Sequence, residues 1–133
     1  MKLTEIAISK AEKNPAIEAF MKEFKAETYP HPFARGMRIK DDVGIDADNY
    51  WNKEVHLLAI MNFGTKGEGG ASKALDWFVG LADKYKVELS LEVKAMKNAG
   101  SKGKNLSKAN LFKWYESRGF KKVGGDHMRR MPK

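Results

Sequence analysis

The sequence predicts an α/β fold of the α+β kind, a mixed central sheet flanked by helices in one domain spanning residues 1–133. Three observations predict it. An apolar run, Val55 to Phe63, passes through a glycine-rich turn into a segment whose Leu75, Phe78, Leu81 and Tyr85 recur at helical spacing. Val87, Leu89, Leu91 and Val93 then alternate with Glu88, Ser90 and Glu92, the period of a strand. Strand, helix and strand at this distance imply a parallel crossover, whereas the closing KKVGGDHMRRMPK reads as a hairpin turning at Gly124-Gly125.

In chain order, Leu3 to Ser9 reads as a short first strand. Asn14-Pro15 starts a helix: Asn accepts from the first free N–H groups, and Pro at the first helical position loses no needed donor. Ile17, Phe20, Met21 and Phe24 give that helix one apolar face, fading near Glu27. Two prolines in Tyr29-Pro30-His31-Pro32 argue against a helix and make His31 a loop residue. Gly36 to Lys40 is a candidate strand, and DDVGIDAD (Asp41 to Asp48) reads as an acidic surface loop able to attract an amine. Asn98 to Lys104 reads as a flexible loop. Asn105 or Ser107 caps a last helix through Leu111, Phe112, Trp114 and Tyr115. Arg118-Gly119-Phe120 stops it with a cation, a left-handed glycine and an apolar residue folding back.

Composition narrows the chemistry. The chain has no cysteine and three dispersed histidines, His31, His56 and His127, which excludes thiolate catalysis and disfavours a metal site. The Asp41–Asp48 spacing fails an EF-hand. No apolar run reaches the ~18 residues of a membrane span, and the start lacks the apolar core of a signal peptide, so a cytoplasmic protein is expected. The net charge of +8 is concentrated late: residues 97–133 carry eleven Lys/Arg against two Asp/Glu. Such an end can attract nucleic acid or a polyanionic cofactor, or simply be a solvated lysine-rich surface.

The turn after Phe63 is the chemical centre. Four glycines between a strand and a helix let backbone N–H groups approach an anion. A Walker P-loop needs Gly-Lys-Ser/Thr, absent here. A dinucleotide loop needs G-x-G-x-x-G, and Gly67-Glu68-Gly69-Gly70-Ala71-Ser72 has serine at the third glycine.

Lys66-Gly67-Glu68-Gly69-Gly70-Ala71 resembles the Q/R-x-x-G-x-G/A loop of the GNAT superfamily of N-acetyltransferases, with Lys66 at the usual Gln/Arg place. Leu111 to Phe120, LFKWYESRGF, resembles that family's L-x-x-[FW]-Y-x-x-x-G-F segment, and Met128-Arg129-Arg130-Met131-Pro132 its closing strand. The resemblance covers about residues 54–132, in the style of compact phage members. It implies a mostly antiparallel sheet in which one parallel pair, 54–63 and 87–94, splays apart. Acetyl-CoA would lie in that gap as co-substrate, with no metal. Its pantetheine would pair with backbone at Ile60, Met61 and Asn62, and its pyrophosphate with Lys66, Gly67, Glu68, Gly69, Gly70 and Ala71. An amide near Ile60 would hold the oxyanion, and Tyr115 would be the general acid. Glu54 and His56, on one strand face with Leu58 and Ile60, are candidates for the base. Asn105 and Asn110 are candidates for bonding pantetheine, although Lys108 occupies the place of the family's usual Asn.

The activity implied is acetyl transfer to a primary amine that the sequence does not identify, since residues before 54 lack a readable pair of alternating strands. A homodimer is compatible with it. Two other functions fit the same residues: a basic nucleic-acid-binding or nucleic-acid-modifying protein on this fold, and a non-catalytic CoA-binding module.

Overall fold

The computed structural model describes residues 14–50, 53–63, 69–94 and 107–133. The expected strand at Leu3–Ser9 and the loop at Asn98–Lys104 lie outside them. Among the described residues, helix α1 (Pro15–Ala26), strands β1 (Tyr29–Pro30), β2 (Arg38–Lys40), β3 (Val43–Tyr50) and β4 (Glu54–Asn62), helix α2 (Gly70–Tyr85), β5 (Leu89–Glu92), helix α3 (Lys108–Glu116), β6 (Lys121–Gly124) and β7 (His127–Arg130) follow in order. They build a seven-stranded mixed sheet, β1-β2-β3-β4-β5-β7-β6. Among the described residues only β4 and β5 pair in parallel; every other neighbour is antiparallel.

Local chemistry sets the helix ends as expected. The Asn14 side chain accepts from the Ala16 and Ile17 amides at 3.1 and 3.2 Å, ahead of Pro15. Ser107, rather than the expected alternative Asn105, caps α3 by accepting from Asn110 N at 3.2 Å. Gly119 takes a φ of 96° just after that helix, where a side chain would be strained and would crowd Arg130.

Residues 36–50 depart from the expectation of an acidic loop. Asp41 and Asp42 both have positive φ, 50° and 65°, as a two-residue hairpin turn demands. DDVGIDAD is therefore a turn followed by β3, whose Val43 and Ile45 are buried while its acids face outward. The acids belong to the solvent side of a half-buried strand. The strand expected at Val87–Val93 is shorter, Leu89–Glu92, because α2 runs to Tyr85 and closes on a left-handed Lys86. The last hairpin turns one residue later than expected, at Gly125-Asp126.

The core lies between the sheet and the packed pair α1–α2. Phe78 of α2 meets Phe20 and Phe24 of α1 edge-on, at 5.4 and 5.8 Å between ring centres. Val55, Leu57, Leu89, Leu91 and Met128 fill the sheet side. The C-terminal strand is locked into this layer by Arg130, which is 2% exposed and bonds both Asp83 oxygens at 2.8 and 2.9 Å. Asp83 is held below its ordinary carboxyl range, chiefly by this guanidinium.

Candidate active site

The site grows out of a change in β4. Its register with β3 steps over one residue, so that Ala47 faces Leu57 and Asp46 faces Ala59, leaving Leu58 as a bulge. A bulge reverses the side-chain alternation that follows it. Val55 and Leu57 are buried before it and Ile60 after it, while Leu58 is exposed. The expectation that Glu54, His56, Leu58 and Ile60 share one face thus fails at Ile60, whose side chain belongs to the core.

At the same point the parallel pair comes apart. The register between β4 and β5 covers Val55–Leu57 against Leu89–Leu91. Beyond it Leu58 to Met61 run on along β3, while Val93 turns toward the last hairpin and donates to Asp126 O at 2.7 Å. The gap is a cleft of about 230 Å³ walled by Leu57, Leu58, Ala59, Met61, Glu92, Lys94 and Tyr115. Tyr115 comes from α3, which is placed by Trp114 Nε1 donating to Ser72 Oγ at 2.9 Å and Arg118 Nε donating to Asp76 at 2.8 Å. Only 6% of Tyr115 is exposed, and burial pushes its phenol up to about 12. The hydroxyl therefore keeps its proton across the neutral range.

At the far end of β4 stands the first turn of α2. Gly69 precedes it at φ 71°, contributes no capping side chain, and is followed by no acid in the first turn. The Gly70 Cα lies against β4 and β3: a Cβ there would come 3.3 Å from Asn62 Nδ2 and 3.6 Å from a Val43 methyl. Gly69, Gly70 and Ala71 thus sit where the anion-holding turn was expected; Lys66, Gly67, Glu68 and Asn105 lie outside the described residues. Asn110 is exposed on α3 and is not part of the cleft wall.

Glu54 and His56 stand elsewhere. Where β4 and β5 remain paired, their outward face carries Glu54 and His56 beside Ser90, and β7 adds Arg129 opposite Ser90. His56 Nδ1 lies 2.9 Å from Ser90 Oγ. Desolvation lowers the His56 pKa despite the opposing field of Glu54. Arg129 spans two carboxylates, Glu54 at 3.2 Å and Glu88 at 2.8 Å. Glu54, His56, Ser90 and Arg129 line a second pocket of about 520 Å³ that also includes Val123, His127 and Met128. The two spaces adjoin through Glu92, on the cleft wall, which lies 3.9 Å from His127 on the pocket wall.

Reading the sequence alone missed Ser90, Glu92, His127 and Arg129. The first of these was within reach, because a parallel pairing of the two strands sets a serine beside the histidine. The basic end is also less free than its composition suggests. Arg118, Arg129, Arg130 and Lys108 are paired with Asp76, Glu54 and Glu88, Asp83, and Asp126. Among the described residues no group of His, Asp and Glu is arranged to hold a metal ion, and no helix is long and apolar enough to cross a membrane.

No family model matches the chain, and no curated protein matches it. Among solved structures, the crystal structure of the anti-CRISPR protein AcrVA5 is similar at a TM-score of 0.47 and 19% identity, covering 72% of this chain and 90% of that one. The likeness is a distant one.

Proposed function

We propose that this chain is an acetyl-CoA-dependent N-acetyltransferase of the GNAT type, acting on a primary amine. The observation that carries the proposal is the parting, after Leu57, of the parallel strand pair found among the described residues, beside the Tyr115 side chain on the cleft wall. The residues present suit the co-substrate. An apolar wall of Leu57, Leu58, Ala59 and Met61 suits a pantetheine arm. Among the described residues the start of α2 carries no side-chain cap and no acid in its first turn, which suits its amide donors and positive dipole end to phosphate.

Acetyl-CoA brings an activated thioester; the chain supplies position and protons. Main-chain groups of Leu58 to Met61, on the side of β4 that β5 has left, are available to orient the acyl arm and to stabilise charge on its oxygen. Tyr115 stays protonated and stands ready to donate to a departing sulfur. His56, held neutral by burial, is ready to accept a proton from the amine. Glu54, engaged by Arg129, shapes the field around His56 rather than acting as the base.

Release of free thiol from acetyl-CoA in the presence of an amine tests the proposal. Wild-type protein should support it. Tyr115→Phe should lower turnover by about 100-fold or more, the usual weight of a general acid, with CoA affinity unchanged within about twofold. Equal turnover in the variant would remove Tyr115 from the mechanism.

A further inference from the structure

We infer that the pocket on the outward face of β4, β5 and β7 receives the acceptor, and that the acceptor is a primary alkylammonium with no carboxylate next to its amine. The inference rests on the acetyltransferase reading of the cleft and names the class of its second substrate. Three features of the pocket carry it. Its volume, about 520 Å³, is that of a small-ligand site; the exposed Val123 stands on one side of it and Glu54, His56 and Arg129 on the other, while Leu91 and Met128 border it with their side chains turned into the core. An alkyl chain ending in a cation presents the matching pair of surfaces.

The balance of charge is the second feature. Glu54 lines the pocket together with Arg129, and Glu88, Glu92, Lys94 and Lys121 stand around them. That guanidinium is already spanned by Glu54 and Glu88, so it has little to offer an incoming anion, while the Glu54 carboxylate on the pocket wall can receive an ammonium. An amine carrying its own carboxylate would meet Glu54 and Glu92 with like charge. The third feature is place. Glu92 and His127 join the pocket to the cleft, and His56 lines the pocket.

The proton balance closes on residues of the chain. His56 takes one proton from the ammonium, leaving a neutral nitrogen. Tyr115 gives its proton to the sulfur as a C–N bond replaces the C–S bond, and regains one from the nitrogen. The products are an amide, a thiol and a protonated His56 that returns its proton to solvent.

The test uses the protein saturated with CoA for calorimetry and supplied with acetyl-CoA for thiol release, with butylamine, an Nα-acetylated lysine peptide amide and glycine as probes. Butylamine and the lysine peptide should bind at least about tenfold more tightly than glycine. A peptide much tighter than butylamine would mark lysine side chains as the source; equal affinities would mark free amines. Glu54→Gln and Val123→Lys should each weaken butylamine about tenfold without moving CoA affinity, since both residues line the pocket and neither lines the cleft. Val123 is 58% exposed on the edge strand, so this substitution disturbs no ion pair or core contact. Glycine binding as well as butylamine, or indifference to both variants, would overturn the inference. Thiol release with a KM for amine that neither variant changes would remove the pocket and leave the transferase. Variant-sensitive amine binding without any thiol release would do the reverse.

Discussion

Two spaces lie along the same two strands, and they differ because the strands do. Where β4 and β5 are hydrogen-bonded, at Val55–Leu57 and Leu89–Leu91, their backbone is consumed and only side chains can act. The result is a polar pocket built from Glu54, His56, Ser90 and Arg129. Where they part, the backbone of β4 is exposed toward the gap and the side chains are mostly apolar, with one buried phenol. A sheet thus offers main-chain chemistry only where its pairing fails. The proposed function divides along this line, with the cofactor in the opened half and the acceptor on the closed half.

The largest expected effect breaks both spaces together. Arg129 and Arg130 are adjacent on β7 but face opposite sides of the sheet. Arg130→Ala leaves the Asp83 carboxylate without its buried partner and should cost about 3–5 kcal/mol. A thermal midpoint lowered by on the order of 10 °C or more would show it. Arg129 is half-exposed, so Arg129→Ala should shift the midpoint only slightly while weakening amine binding. Equal losses from both would mean that the pocket is a structural ion cluster.

A second substitution separates the cleft from the pocket. A Cβ added at position 69 meets no atom of the described residues within 4 Å, and Asp is among the side chains that best tolerate its left-handed φ of 71°. A carboxylate there sits where the helix start would hold phosphate. Gly69→Asp should weaken CoA at least about tenfold, with a folded protein by circular dichroism and unchanged binding of butylamine. Unchanged CoA affinity would refute the placement of the pyrophosphate.

How much of this was legible in the sequence follows the range of each interaction. The capped helices were readable because their signals are local: Asn14-Pro15, Ser107, Gly119 and the apolar stripes between them. The cleft was partly readable, since Tyr115 and the glycine turn lie in contiguous motifs. The β2–β3 hairpin was not, because acids on the outward face of β3 imitate a loop and nothing in Asp41-Asp42 announces two positive φ values. The bulge at Leu58 leaves no mark in composition; it arises from how β3 and β4 pair, and it moved Ile60 into the core. Arg129 reaches Glu54 and Glu88 across long sequence separations, so its role emerges only when the sheet order is known.

The smallest expected effect concerns pH. Burial holds His56 below its ordinary value of 6.5. Between its folded and unfolded pKa the unfolded chain binds more protons, so this residue's contribution to stability is full above 6.5 and falls as pH drops below it. Denaturant midpoints measured from pH 8 to pH 5 should therefore decline slightly more in wild type than in His56→Gln. Amine turnover should stay level to below pH 6.5 before falling. Parallel declines in both proteins would mean that His56 is not desolvated.

The central claim is that the parted strands hold acetyl-CoA, and calorimetric titration of the protein with acetyl-CoA, NAD and ATP tests it most directly. The account predicts saturable binding of acetyl-CoA at one site, with NAD and ATP far weaker. Absence of acetyl-CoA binding, or binding of NAD or ATP in its place, would contradict it.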